Sequence, residues 1–319
     1  MPKKKFAVGV DLGGTSIKVG WVDEKGKIVK KVSVESHAEK GSDAVIKQIT
    51  RGIKEVLKEK DDNILGIGIG APGAVKLKKG TVENPPNFPG WGKVHLGNII
   101  KKEFGCDVFV ENDANAAAIG ELIYGAGKYH KNFIMITLGT GVGSGIIIDK
   151  KIFRGETGIA GEIGHITIDT NGEQCKCGSI GCIEAYIGNN YLIEQTKLKL
   201  QERNDSLLLK LTNGDLNLLT PKLIHTAAEQ GDKFSKSVIV DTGTKLGYAL
   251  TSAIHVLDIA TIIIGGGVAG FGKLLLDSIE SSLKQRVMKS FRDRIIVKPA
   301  KLKNEAGIKG ASALVFYKS

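Results

Sequence analysis

The sequence predicts a duplicated α/β protein, two lobes of similar build with a cleft between the halves. Three observations carry that fold class. Short apolar, β-branched runs alternate with amphipathic helical stretches, as α/β folds require. Glycine-rich turns recur where those runs end, at Gly13-Gly14, Gly139-Thr140-Gly141 and Gly265-Gly266-Gly267. A shift of 126 positions lays Asp11-Leu12-Gly13 on Thr137-Leu138-Gly139 and Asp23 on Asp149, so the order strand, glycine turn, strand occurs twice.

Taken in order, residues 5–10 read as the first strand, 11–16 as a turn and 17–23 as a second strand. Glu24-Lys25-Gly26-Lys27 then connects to a third. Residues 42–60 predict a helix capped by Ser42 or Asp43, with Val45, Ile49, Ile53, Val56 and Leu57 at helical spacing. Residues 64–69 form a short strand ending at Gly70-Ala71-Pro72-Gly73, and residues 84–91, with three prolines, an irregular loop. A strand over 108–110 runs through Glu111-Asn112-Asp113 into an alanine-rich helix. The second cycle comprises apolar residues 131–138, the glycine-rich 139–145, apolar 146–149, a helix over 234–257 and a buried strand over 260–264.

Length and composition agree with this. A chain of 319 residues suggests about two domains, and 42% hydrophobic with 25% charged residues is ordinary for a soluble globular protein. No apolar run approaches the length of a membrane span, which argues against a membrane partner. The basic start, Met1-Pro2-Lys3-Lys4-Lys5, leads into an apolar run that Asp11 ends too early for a signal peptide. The expected location is the cytoplasm, where thiols stay reduced. The net charge of +11 raises a nucleic-acid partner. The lysines are dispersed among glutamates, however, as in Lys54, Glu55, Lys58, Glu59 and Lys60, which is the pattern of a solvated helix face. A basic surface also attracts smaller polyanions such as nucleotides.

The densest chemistry lies in one stretch. His165 is followed by Cys175, Cys177 and Cys182, with glycines between them. Three thiolates and an imidazole close a tetrahedron around Zn²⁺ with no open position. Free thiols in a glycine-rich loop, or one disulfide with a spare thiol, are the alternatives. Glu162 and Glu184 flank the cluster, so a metal that pins the loop also sets where those carboxylates point. Cys106 stands apart and reads as a small buried residue.

Two glycine hairpins facing each other would direct backbone N–H groups at phosphate oxygens, with Gly13, Gly14 and Thr15 on one side and Gly139, Thr140 and Gly141 on the other. Lys18 either reaches a phosphate or is an exposed strand lysine. Asp11 repels phosphate directly but suits Mg²⁺ held through water. Gly265, Gly266 and Gly267 either accommodate a base and ribose or simply punctuate strand and helix. Asn112 or Asp113 caps the alanine-rich helix; Asp113 at that helix start can alternatively take a proton from a substrate hydroxyl, as phosphoryl transfer needs.

These motifs, in this order, resemble the ROK family of sugar kinases within the actin-like ATPase and hexokinase superfamily. The likeness covers residues 11–18, 71–73, 111–118, 138–145, 161–165, 175–184, 265–269 and 306–312. Within the family the chain is most similar to bacterial ATP-dependent glucokinases. The resemblance implies a two-lobed ribonuclease H-like fold with a duplicated βββαβα core and a zinc-binding loop. It implies a small lobe over 1–112, to which a last helix at 307–319 returns, and a large lobe over 113–306. It implies that Asp113 is the general base on a sugar 6-hydroxyl, and that Asn112, Glu162, His165 and Glu184 bind sugar hydroxyls, with Gly73 and Asn87 at the edge. His165 would share itself between a structural Zn²⁺ and the sugar. Gly13–Thr15 and Gly139–Gly141 would hold ATP phosphates, and Gly265–Gly267 the adenosine. Lobe closure around the sugar and a homodimer or homotetramer are also implied. Glucose is the expected substrate; N-acetylmannosamine, N-acetylglucosamine, mannose, allose and fructose are alternatives, as is a polyphosphate donor. Repressors of the family carry an added helix-turn-helix ahead of the first motif, and ten residues before Asp11 leave no room for one, so no nucleic-acid partner is expected.

Overall fold

The computed structural model describes residues 4–58 and 64–317. Its first sheet starts with a three-stranded antiparallel meander, β1 Phe6–Leu12, β2 Ser16–Asp23 and β3 Ile28–Glu35. β4 Ile64–Ala71 lies parallel to β1. Three short strands, β5 Ala74–Lys76, β6 Thr81–Glu83 and β7 Lys93–Val94, form a small sheet of their own. β8 Val108–Asn112 then completes the first sheet in the order β3-β2-β1-β4-β8.

The second sheet repeats this plan. β9 Phe133–Leu138, β10 Val142–Ile148, β11 Lys151–Phe153, β12 Thr261–Gly265 and β13 Ile296–Pro299 are arranged β11-β10-β9-β12-β13. β12 is parallel to both β9 and β13, as β4 is to β1 and β8. The 126-residue offset found in the sequence carries Leu12, the end of β1, onto Leu138, the end of β9. It also carries Ser16, the start of β2, onto Val142, the start of β10.

The first helix is Ser42–Leu57, burying Val45, Ile49, Ile53 and Val56. Its cap position is Gly41, which has no side-chain cap bond, so neither Ser42 nor Asp43 caps it. Asp43 sits in the first turn, where its charge suits the helix dipole. The predicted helix end at residues 59–60 lies outside the described residues. Lys58 pairs with Glu55 and Lys54 with Glu103, consistent with a solvated face. Among the described residues no helix is long and apolar enough to cross a membrane.

The chain divides into two compact units. One comprises Met1–Lys131, Gly145–Gly161 and Lys301–Ser319; the other comprises Asn132–Ser144 and Glu162–Ala300. The helix Asp113–Tyr124, expected to open the second lobe, therefore belongs to the first unit. The physical reason is its contact with the last helix, Ala306–Phe316. Gly120 and Gly310 meet backbone to backbone, where a Cβ on Gly120 would stand 2.8 Å from the Gly310 Cα. Glu121, fully buried on the same helix, accepts hydrogen bonds from Leu302 N–H at 2.8 Å and Ala126 N–H at 2.5 Å. Such bonds are what a sealed carboxylate requires. Tyr317 Oη accepts from Ile152 N–H at 2.8 Å and draws the β11 segment into the same unit.

The last helix lies directly on bare strand backbone. A methyl on Gly9 would overlap the Ile308 carbonyl, and one on Gly68 the Ala311 carbonyl. Neither glycine has a positive φ, so what they supply is space. Gly68→Ala should therefore destabilise the first unit by about 3 kcal/mol, the cost of overpacking against immovable backbone. A lowered urea midpoint in equilibrium unfolding checks this.

Candidate active site

In the first unit, β8 delivers the polar residues at its end to the start of the helix Asp113–Tyr124. Asn112 caps that helix: its side-chain oxygen accepts from Ala114 N–H at 3.0 Å and Asn115 N–H at 3.2 Å. Its amide nitrogen donates to the Gly73 carbonyl at 3.2 Å, which brings two of the expected sugar residues together. Asp113 is the first helical residue and is exposed; one of its carboxylate oxygens accepts from Ala114 N–H at 2.8 Å. A negative charge is favoured at this end of a helix.

Glu111 was not assigned a role by the sequence, and it organises this junction. Its carboxylate, only 3% exposed, accepts from Asn112 N–H at 3.0 Å, Asn115 Nδ2 at 3.2 Å and Arg154 Nε at 2.9 Å. Arg154 lies 43 residues away, so no local pattern pointed to it.

Across the β1–β2 hairpin, Asp11 and Lys18 are register partners with a 3.8 Å ion pair. Lys18 is thus both strand-borne and exposed, and its ammonium faces Asp11. Burial pushes the Asp11 carboxyl above its ordinary range, and the Lys18 charge partly offsets that rise. The carboxylate packs against Gly307 in the first turn of the last helix, where no Cβ would fit. In the connecting turn Gly13 N–H donates to the Ser16 carbonyl, and Thr15 is exposed. Ser36, a further residue the sequence did not single out, donates its hydroxyl to the Gly14 carbonyl and its N–H to the Thr15 carbonyl. Asn87, with φ 67°, sits over Gly14, so this loop and the turn are neighbours.

In the second unit the corresponding turn, Gly139–Gly141, is closed by Gly139 N–H donating to the Gly141 carbonyl at 2.9 Å and leaves Thr140 exposed. After β12, Gly266 adopts φ 88° and approaches the Leu138 backbone so closely that any Cβ would overlap it. That settles the structural need for Gly266 and sets the Gly265–Gly267 turn beside the end of β9. Gly267 faces open space.

The four expected metal ligands also converge. One donor atom each from His165, Cys175, Cys177 and Cys182 lies within 4.8 Å of the others. Cys177 Sγ is 3.6 Å from Cys182 Sγ, and Cys175 Sγ is 3.8 Å from His165 Nδ1. A tetrahedral zinc with bonds of about 2.3 Å to sulfur sets sulfurs about 3.8 Å apart, so the donor set and its spacing fit the ion. Short bridges, Thr167 to Cys182 and Gln174 to Ile180, hold the loop, with Gly178 and Gly181 at positive φ. Cys106 lies in the other unit. Glu162 Oε2 is 3.9 Å from His165 Nε2, the ring nitrogen opposite the one that faces Cys175. Glu184 opens the short helix Glu184–Ile187 and turns its carboxylate to Val142 N–H at 2.8 Å.

The ROK family model matches residues 7–318. The chain belongs to the ROK family. It is similar to the glucokinase of Thermotoga maritima, 36% identical over 315 residues that span 99% of this chain and 98% of that protein. Among solved structures it is similar to a ROK glucokinase from Streptomyces griseus in complex with glucose and AMPPNP, at 36% identity and TM-score 0.86. That match covers 97% of this chain and 98% of the other. The xylose repressor of Caldicellulosiruptor bescii is 30% identical over 312 residues, 97% of this chain and 77% of the repressor. The family thus holds both kinases and repressors, and the two-lobed, sheet-duplicated fold expected of it is present here.

Two predictions follow from the sites themselves. The purified protein should carry one zinc per chain by elemental analysis. Cys177→Ala should lose it without creating a buried void, because Cys177 is exposed. For Asp11, carbon NMR should find the carboxyl titrating above the ordinary aspartate range. Lys18→Met should raise its midpoint further, because the lost ammonium had favoured the ionised form.

Proposed function

We propose that this protein is an ATP-dependent glucokinase, transferring the γ-phosphoryl group of ATP to the 6-hydroxyl of D-glucose. The main support is its nearly full-length similarity to the Streptomyces griseus glucokinase bound to glucose and AMPPNP. The local chemistry agrees. Asp113, exposed at a helix start and anchored through Ala114 N–H, would accept the proton of the 6-hydroxyl. The oxygen then attacks the γ-phosphorus, the bond to the bridging oxygen breaks, and ADP leaves with the electron pair.

Asn112, Gly73, Asn87, Glu162, His165 and Glu184 would bind the sugar. The Gly13–Thr15 and Gly139–Gly141 turns would grip the phosphates, with Lys18 adding charge and Gly265–Gly267 lying against the adenosine. A single carboxylate such as Asp11 suits water-mediated Mg²⁺, which neutralises phosphate charge when bound. Zinc on His165, Cys175, Cys177 and Cys182 would be structural, fixing the His165 tautomer so that the opposite ring nitrogen is a defined partner for the sugar.

Coupled ADP-release kinetics on a hexose panel test this. Glucose should give the highest kcat/KM, and Asp113→Asn should lose on the order of a thousandfold in kcat while keeping glucose binding. An N-acetylated hexose preferred a hundredfold over glucose would reassign the substrate, and near-normal kcat in Asp113→Asn would remove that residue from the chemistry.

A further inference from the structure

Glu184 lies within the sugar-binding set proposed above, yet its carboxylate bonds to the other ligand's hairpin. Glu184 Oε2 accepts from Val142 N–H at 2.8 Å, and Val142 directly follows the Gly139–Gly141 turn. Two further contacts tie the same segments together. Asn189 N–H donates to the Gly139 carbonyl at 2.9 Å, and Gly188 packs without a side chain against the Thr140 carbonyl. From the metal side, Ile163 N–H donates to Ser144 Oγ at 3.2 Å, and Gly164 presses onto the Val142 carbonyl. The start of β10 is therefore held by both segments of the second unit that carry proposed sugar ligands.

Gly141 is where this arrangement can be probed. Its φ is not positive, so its backbone suits any L-residue. A side chain is excluded by one neighbour, because the three atoms nearest a Cβ there all belong to the Glu184 carboxylate, the first of them at 2.2 Å. That carboxylate is the far end of a flexible side chain. A methyl on Gly141 thus displaces Glu184 and leaves the fold in place.

We infer that Gly141, a residue of the nucleotide hairpin, is a positioning residue for the sugar: its bare Cα lets the Val142 N–H hold Glu184 in the orientation that receives a hexose hydroxyl. The inference rests on the glucokinase reading. A carboxylate held before the sugar arrives loses little rotamer freedom on binding, and its bond to an N–H is of the stronger, charge-assisted kind. By linkage, any effect of hairpin occupancy on sugar affinity is matched by an equal effect of the sugar on nucleotide affinity.

Calorimetric titration of the full-length protein with glucose, in the absence of nucleotide, tests it. Gly141→Ala should weaken glucose binding on the order of tenfold. Gly270→Ala, outside the proposed sites and with open space for its methyl, should leave glucose Kd within about twofold. Glu184→Gln keeps an acceptor for Val142 N–H and should bind glucose better than Glu184→Ala. An unchanged glucose Kd in Gly141→Ala, with the wild-type protein phosphorylating glucose, overturns the inference alone. Equal loss in Glu184→Gln and Glu184→Ala also overturns it. A wild-type protein that neither binds nor phosphorylates glucose overturns the functional reading and this inference together.

Discussion

A carboxylate sealed from water governs the strand-to-helix junction of the first unit. Glu111 is tolerable inside the protein because three donors meet it: one from the adjoining backbone, one from Asn115 and one from Arg154. Breaking a buried pair of this kind costs about 3–5 kcal/mol, since the partner left behind is an uncompensated charge. The three bonds converge on the few residues where β8 becomes a helix. They fix the exit angle of the chain, and with Asn112 capping the helix they determine where Asp113 projects. The exposed residue proposed for proton transfer thus inherits its position from a neighbour that never meets substrate.

The second unit reaches a similar result by other means. Its proposed sugar ligands lie on or beside single helical turns, with no long strand or helix to orient them. The four clustered metal donors and two isolated bridges take that role, and the Glu184–Val142 hydrogen bond ties the loop system to the sheet. A loop so tethered presents its carboxylates and imidazole without the entropy cost that a free loop of the same length would carry.

The plan of the fold was legible in the sequence because it is written in local signals. Apolar runs, glycine turns and the 126-residue offset all act over a few residues, and the offset agrees with the strand ends of both sheets. The convergence of His165, Cys175, Cys177 and Cys182 was legible for the same reason, since the four fall within one short stretch. The division into units was harder to read. The helix Asp113–Tyr124 follows the first sheet in the chain and would open the next lobe by order alone. Gly120 meeting Gly310, and Glu121 receiving Leu302 N–H, hold it to the first unit across more than 180 residues. Arg154 was equally invisible, because an arginine just past a strand end carries no sign of which carboxylate it will meet. Ser42 and Asp43 looked like caps, but the cap position falls one residue earlier at Gly41.

The last helix carries a consequence for how the protein is made. It lies on Gly9 in β1 and Gly68 in β4, and on Gly310's partner helix. On a ribosome, the strands beneath it emerge some two hundred residues or more before their cover does. During that interval the nascent first unit exposes a glycine-floored trough of bare backbone and the apolar rims around it. The second unit, whose residues are all synthesised before position 301, is complete sooner. Domains generally fold as units during synthesis. The half of the protein translated first is therefore the half that finishes folding last, and it is the one exposed to chaperone capture.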